Sequence, residues 1–449
     1  MYKTEDKETC TAEHKKIDAA RIIKSTYSVC PECLKRIPAV ITKHGNDYFI
    51  EKTCPDHGSF SAVTWRGEII PMEEWGNYQA PADEENPPDC PNSCGLCPGH
   101  LQKTCCALIE ITEQCNLNCP ICFAQSGGRS DDPAVSELSE QFEKLAASGN
   151  TFVHLSGGEP TVRNDLPDIV AAARDAGCEN IQLNSNGIRL GQDRGFTKAL
   201  AEAGLSFVFM QFDGTEDPIY EKLRGRPLFS EKQAAIEACS NELIGVTLVP
   251  TLVPGVNDHN IGAILKFGFE HSPAVRGVHF QPVSYFGRYP KPPEDKDRIT
   301  LPEVLQLIEK QTEGRVNISD FLPSACDHPR CGFHGDFVVL PEGVMKLTRK
   351  NNSNTCCTPD GTEHLKNRNF VSRRWKRTTV KNLEKENGNS ELSDFDIFLN
   401  QVASHGFTIT AMAFQDAYTL DIERLRRCSL HVYKEGKTIP FCSRYLTRY

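Results

Sequence analysis

The sequence predicts an α/β chain built around a (β/α)6 pattern, with cysteine-rich segments on both sides of it. Three observations predict this. Six short apolar runs alternate with amphipathic helical stretches between residues 107 and 312. Each apolar run exits into polar or glycine-rich residues. The chain's 20 cysteines fall mostly into tight groups rather than singly. Strands and helices alternating at these spacings specify βα units and a parallel sheet.

The elements follow in order. ALIEITEQ (107–114) alternates as a strand, and apolar positions at helical spacing follow over 135–148. TFVHL (151–155) is the second strand, with a helix over 166–177. NIQLN (180–184) is the third, with a helix near 196–203, and LSFVFMQF (205–212) the fourth, with a helix near 230–240. GVTLVPTLV (245–253) and RGVHFQPV (276–283) complete the set, followed by helices near 260–271 and 302–312. Chemistry in such barrels gathers at the C-terminal ends of the strands. Those ends carry EQCNLNCPICFAQ, SGGEPT, NSNG, QFDG, LVPGVND and FQPVS.

Composition excludes several classes. The 449 residues suffice for two or three domains. A net charge of −10 argues against nucleic-acid binding, which wants a basic face. The basic stretch RRWKRTTVK (373–381) reads as a solvated charged face. MYKTEDKETC is not a secretory signal, and no run of 18 apolar residues suggests a membrane span. A reducing, cytoplasmic setting with cysteines held by metal is the expectation.

The cysteines sort by spacing. Cys30 and Cys33 form a CPEC knuckle, and Cys54 with His57 forms a second about twenty residues on. Together they suit one tetrahedral zinc or iron ion, with a later cysteine as the alternative to His57. Cys90, Cys94, Cys97 and Cys105 suit a 4Fe–4S cluster, with zinc as the alternative. Cys106 opens the first barrel strand and is not expected to ligate. Cys326, Cys331, Cys428 and Cys442 suit a further four-thiolate site, with Cys356 and Cys357 as alternative members. Cys10, Cys178 and Cys239 read as ordinary residues. Cys115, Cys119 and Cys122 stand apart, because three thiolates leave one iron of a cubane open. Open coordination positions are where metal sites do chemistry.

The C-x3-C-x2-C loop followed by an aromatic, with SGGEPT after the next strand, resembles the radical S-adenosylmethionine (radical SAM) superfamily. The order CPEC…TCPDHG, CPNSCGLCPGHLQKTC, ALIEITEQCNLNCPICFA, LPSACDHPRC and CSLHV…IPFC is similar to one group within it. That group contains tetraether lipid synthases and 7,8-dihydropterin methyltransferases. The resemblance implies a partial (β/α)6 radical SAM barrel over 106–315, after a metal-binding and auxiliary-cluster module over 1–105. It implies a C-terminal auxiliary-cluster α+β region over 316–449. SAM would chelate the open iron, with Gly157, Gly158 and Glu159 near its amino group. Asn184, Ser185, Asn186, Gln211, Asp213 and Asn257 are the candidates for its ribose and carboxylate.

The expected cofactors are thus a SAM-binding 4Fe–4S cluster, two auxiliary clusters, SAM and one mononuclear iron or zinc. The expected chemistry is reductive cleavage of SAM to a 5′-deoxyadenosyl radical that activates a C–H bond. Extra clusters favour C–C bond formation on a lipid chain, with methylation of a pterin-like heterocycle or modification of a peptide as alternatives. The expected partners are a lipid or small-molecule substrate, a ferredoxin- or flavodoxin-type electron donor and transient membrane contact. The polar stretch 346–395 is expected to be a surface excursion or a partly disordered loop, whose basic patch could equally meet an anionic head group.

Overall fold

The structure is a computed structural model that describes residues 21–76, 90–91, 95–128, 131–347, 363–377, 398, 400–402 and 404–446. Four antiparallel strands open it: β1 (Arg21–Val29), β2 (Arg36–His44), β3 (Asp47–Cys54) and β4 (Gly58–Arg66), paired in that order. His44 faces Asp47 across a two-residue turn in which Gly45 takes φ +59°, the left-handed backbone such a hairpin needs. Alternation puts Ile41, Tyr48, Ile50 and Trp65 inside.

The second sheet is larger. Its centre runs β5 (Cys106–Thr112), β6 (Phe152–Gly157), β7 (Asn180–Ser185), β8 (Phe207–Gln211), β9 (Gly245–Val249), then past the short β10 (Thr251–Leu252) to β11 (Val275–Pro282). These strands lie side by side in chain order, all parallel, with β10 also pairing with β11. This is the predicted partial barrel. The fifth predicted strand is broken at Pro250, which has no N–H for the ladder.

Helices cross over between the strands: α1 (Val135–Ala147), α2 (Leu166–Asp175), α3 (Ile188–Gln192), α4 (Arg194–Ala203), α5 (Asp217–Arg224), α6 (Phe229–Asn241), α7 (Ile261–Glu270) and α8 (Leu301–Gln311). Each buries a stripe at helical spacing; in α1 it is Leu138, Phe142 and Leu145. Two crossovers hold two helices where one was expected. The Asp193 side chain caps α4 through Phe196 N (2.9 Å), so α3 and α4 are separate helices. Left-handed Gly225 ends α5 before Pro227.

The C-terminal third does not form a detached sheet. After β12 (Leu322–Pro323), β13 (Gly332–Leu340), β14 (Gly343–Lys346) and α9 (Glu363–Trp375), strand β15 (Gly406–Met412) pairs in parallel with β11. After α10 (Ile422–Leu425), strand β16 (Leu430–Lys434) pairs in parallel with β5 at the opposite edge, followed by β17 (Lys437–Pro440) and α11 (Phe441–Arg444). One chain segment therefore extends the barrel sheet at both ends and covers both of its edges.

Helix α9 closes the barrel at the N-terminal ends of its strands. Arg368 donates to the carbonyls of Thr104 and Gly149, and Arg276 donates to Arg374 O (2.8 Å). Trp375 packs on Phe207 and Phe209, and a Cβ at Gly245 would meet Trp375 O at 2.2 Å. The expected solvated face at 373–381 is therefore corrected at its start: Trp375 is a buried plug, and Arg374 pairs with Asp336. Residues 378–381, and most of 346–395 with Cys356 and Cys357, lie outside the described residues. The first sheet docks on the barrel through Arg66–Glu303 (2.8 Å) and on α10 through Lys24–Glu423 (2.6 Å).

Candidate active site and metal centres

The loop after β5 carries Cys115, Cys119 and Cys122 to the barrel mouth, where all three line one cavity. That loop is gripped from two sides. Cys122 N donates to Arg288 O (2.9 Å), Arg288 N donates to Cys122 O (3.0 Å), and the Arg288 guanidinium reaches Cys119 O (2.9 Å). Gly287 allows this approach, since a Cβ there would sit 2.5 Å from the carbonyls of Cys122 and Phe123. On the other side Gly158 N donates to Thr112 O and Glu159 N to Gln114 O, both at 2.8 Å. Cβ atoms at Gly157 and Gly158 would meet Thr112 O at 2.2 Å and Gln114 O at 2.0 Å. The two glycines of SGGEPT let the second strand's exit lie directly on the cysteine loop.

Glu159 is buried and its carboxylate is fully engaged. Oε1 accepts from Thr161 N, Thr161 Oγ1 and Ser185 Oγ, and Oε2 accepts from Asn186 N (2.6 Å). It ties the second strand's exit to the third's. Asn186 in turn donates to Asn116 Oδ1 (2.7 Å) inside the cysteine loop.

Of the nine predicted cofactor contacts, Gly157, Gly158, Glu159, Asn184, Ser185, Asn186 and Gln211 line the cavity. Asp213 and Asn257 lie behind its wall. Asp213 accepts a bidentate pair from Arg224 (2.7 and 2.8 Å) and a bond from Thr251 N. Asn257 spends its amide on Asp213 O, Thr251 O and Val253 N. Their polar atoms organise the wall instead of facing a ligand.

Sequence reading missed three cations here. Arg224 lines the cavity and reaches toward the Cys119 thiol; burial opposes its charge, but Asp213 beside it holds the proton firmly. Arg288 clamps the cysteine loop. Lys232, fully buried on α6, donates to Asn186 O and to Gln211 Oε1 (3.0 Å), joining two strand exits. A lysine inside an otherwise apolar helix stripe is a weak signal that could have marked it.

The cavity measures about 290 Å³ and is floored by Phe152, Val371 and Trp375. That is at the low end of the ~300–1,000 Å³ typical of small-molecule sites, so wall side chains meet any occupant directly. Met412 and Phe414, from the stretch AMAFQDAYTLD, line it too. The rest of that stretch is core: Asp416 is buried in a pair with Arg298 (2.8 Å).

In the first sheet, Cys30, Cys33, Cys54 and His57 bring their ligand atoms within 4.8 Å of one another. The separations include 3.4 Å (Cys54–His57), 3.7 Å (Cys30–His57) and 4.0 Å (Cys33–Cys54). Metal–sulfur bonds of ~2.3 Å in a tetrahedron place donors roughly 3.7 Å apart, so the four fit a single ion. The His57 ring beside it pulls the Cys54 thiol down to about 6, which favours the thiolate a metal binds. Among the described residues, His57 is the fourth donor of the set.

Among the described residues, one cysteine of the first group expected from spacing meets one of the second. The Cys326 thiol meets the Cys105 thiol, and this contact with burial pushes Cys326 far up. Cys331, Cys428 and Cys442 lie within electrostatic reach of one another, and Arg424 donates to Cys331 Sγ at 3.6 Å. Cys90 and Cys442 share one hydrophobic cluster. The 97–105 loop is laced to 426–429 through Leu101 N→Arg426 O (2.7 Å) and Cys105 N→Ser429 O (2.9 Å). Cys94 lies outside the described residues. Burial holds the Cys428 thiol far up and Cys442 at about 12. Buried thiols crowded together ionise only when a bound metal supplies the compensating charge, so this donor set fits metal.

Comparison with known proteins bears on the barrel and the first sheet. The Radical SAM superfamily description matches residues 109–268, and the HMPTM N-terminal zinc ribbon domain matches 22–66. A Methanocaldococcus jannaschii protein named 7,8-dihydro-6-hydroxymethylpterin dimethyltransferase is 32% identical, over 94% of this chain and 93% of that protein. Fe-coproporphyrin III synthase of Methanosarcina barkeri is 32% identical over 42% of this chain and 48% of its own length. Among solved structures, Streptococcus suis SuiB with its precursor peptide SuiA superposes with a TM-score of 0.40 at 15% identity, over 47% of this chain and 46% of that one.

Proposed function

Because this chain belongs to the radical SAM superfamily, we propose that it is an enzyme that methylates a small heterocycle of the 7,8-dihydropterin class. The carrying observation is a three-thiol loop that opens into a small cavity whose far end is plugged by Trp375. A cavity of about 290 Å³ supports a compact substrate. The lipid-coupling reading, placed first from sequence, gives way to the methyl-transfer reading, because a lipid chain needs a long apolar channel. Similarity to a pterin dimethyltransferase over 94% of the chain supports the same order.

Cys115, Cys119 and Cys122 would hold the 4Fe–4S cluster, and Cys30, Cys33, Cys54 and His57 would hold zinc. When bound, the cluster and SAM supply an electron and an alkyl radical able to take hydrogen from a C–H bond. The chain's residues do the rest. Arg288 and Gly158 fix the cysteine loop by its backbone, and Glu159 locks the second and third strand exits together. Asp213 aims Arg224 at the mouth, where a cation suits the carboxylate of SAM. Burial and the Trp375 plug keep bulk water from the reacting groups. The Cys105–Cys326 contact and the Cys331, Cys428 and Cys442 set, with Cys90 nearby, would hold auxiliary clusters. Among the described residues no helix is long and apolar enough to cross a membrane.

The test is anaerobic, cluster-loaded enzyme with dithionite, SAM and 6-hydroxymethyl-7,8-dihydropterin. A methylated dihydropterin in the mass spectrum is the expected product, and a labelled SAM methyl group reports the carbon donor. SAM cleavage with no dihydropterin product, together with a new carbon–carbon link in a supplied lipid, would reverse the assignment.

A further inference from the structure

The strand interiors hold polar side chains that the cysteine loop does not explain. Side chains alternate along a strand, so residues two apart share a face. On β6, β7, β8 and β11 the inward positions nearest the mouth are Ser156, Asn184, Gln211 and Gln281, with Asn184 donating to Ser156 Oγ (3.2 Å). One step deeper they are His154, Gln182, Phe209 and His279, all lining the cavity. Deeper still come Phe152 and Phe207, over Trp375.

The middle layer is a connected belt. His154 and Gln182 are register partners, and Gln182 Nε2 lies 3.2 Å from the His154 ring nitrogens. Phe209 stands between the two imidazoles, its centroid 5.9 Å from His154 and 5.1 Å from His279. His279 Nδ1 lies 2.8 Å from the hydroxyl of its register partner Thr410. Thr247, the register partner of Phe209, is fully buried and its Oγ1 has no hydrogen-bond partner. It lies two residues before cavity-lining Val249, on the same strand face.

Barrel lumens are ordinarily filled with branched apolar side chains. Polar groups kept in the lumen cost stability unless something hydrogen-bonds to them. Burial pushes His154 down to about 3 and His279 to about 4, so both rings are neutral at physiological pH. A neutral imidazole offers one donor and one acceptor. With a carboxamide and a phenyl ring beside them, they match a flat, uncharged heterocycle with donors and acceptors on its edges.

We propose that the belt of His154, Gln182, Phe209 and His279 is the recognition site for the substrate's heterocyclic ring, with Trp375 as its floor. The proposal rests on the methyltransferase reading above. It puts the ring one layer below Asn184 and Gln211, in the cavity that the cysteine loop also lines.

The test uses the full cluster-loaded chain under anaerobic conditions, with binding of 6-hydroxymethyl-7,8-dihydropterin and of SAM measured separately by equilibrium dialysis. His279→Ala and Gln182→Ala each raise the dihydropterin Kd about tenfold or more, while the SAM Kd moves less than twofold; His279→Asn, which keeps a polar edge, recovers part of the loss. Unchanged dihydropterin affinity in both alanine variants, with wild type binding normally, overturns the belt and leaves the methyltransferase reading standing. A wild type that binds SAM but no dihydropterin overturns both. Should His279→Ala lose SAM as well through misfolding, His279→Asn and Gln182→Glu decide by the same criterion.

Discussion

The zinc ribbon and the barrel mouth both begin with a short cysteine knuckle, yet they are built for opposite ends. In the ribbon, two hairpins converge until four donors close within 4.8 Å, and no position is left over. At the mouth, three thiols come from one loop, and the residues that hold the loop do so by its backbone: Arg288, Gly158 and Glu159. Closed donor sets stabilise folds, whereas open ones need an external frame that positions them and leaves room for a ligand. The contrast teaches that the mouth depends on residues far from its cysteines, and the ribbon does not.

The largest expected effect separates the two sites outright. Cys119→Ala abolishes 5′-deoxyadenosine formation and removes ~4 irons per chain with zinc retained; Cys54→Ala removes zinc with that iron retained. Elemental analysis of the two variants checks this, and loss of both metals in either one would break the comparison. Next comes the frame. Asp213→Ala strands the buried Arg224 guanidinium and costs about 3–5 kcal/mol of stability, read from denaturant unfolding. The same change at exposed Asp56, paired with Lys35 at 2.8 Å on the ribbon, costs under about 1 kcal/mol.

Gly158→Ala presses a Cβ on Gln114 O and shifts the cysteine loop. The SAM cleavage rate falls about 10²-fold while the ribbon's zinc content is unchanged. The last expected effect is a pH dependence. Burial lowers Lys232 from 10.5 to about 7 in the folded chain. Between those values the unfolded chain holds the proton and the folded chain does not, so stability rises with pH from about 7 toward 10.5. Unfolding midpoints across that window give a shallower rise in Lys232→Met than in wild type.

What could be read in the sequence follows the same division. The ribbon's four ligands, the three-cysteine loop, the two glycines and the strand–helix alternation are local patterns, and spacing reports local patterns. The meeting of Cys105 with Cys326 joins loops more than two hundred residues apart, which spacing cannot report. Nor could it show that β15 and β16 join opposite edges of one sheet, or that Trp375 plugs the barrel from a segment that reads as solvated. Asp213 and Asn257 have the right residue type in the right loop; only their hydrogen bonds reveal that they face inward to the wall. His154, Gln182 and His279 were within reach. A polar residue in the middle of a parallel strand buried on both faces is out of pattern and marks a lumen that is not simply packed.

The central claim is that the loop of Cys115, Cys119 and Cys122 presents an open iron to a ligand at the barrel mouth. Electron–nuclear double resonance on the reduced, cluster-loaded enzyme with 15N-amino-labelled SAM tests it most directly. A nitrogen hyperfine coupling to the cluster, present in wild type and absent in Cys119→Ala, is the predicted result. A fully loaded cluster whose spectrum SAM leaves unchanged would contradict it.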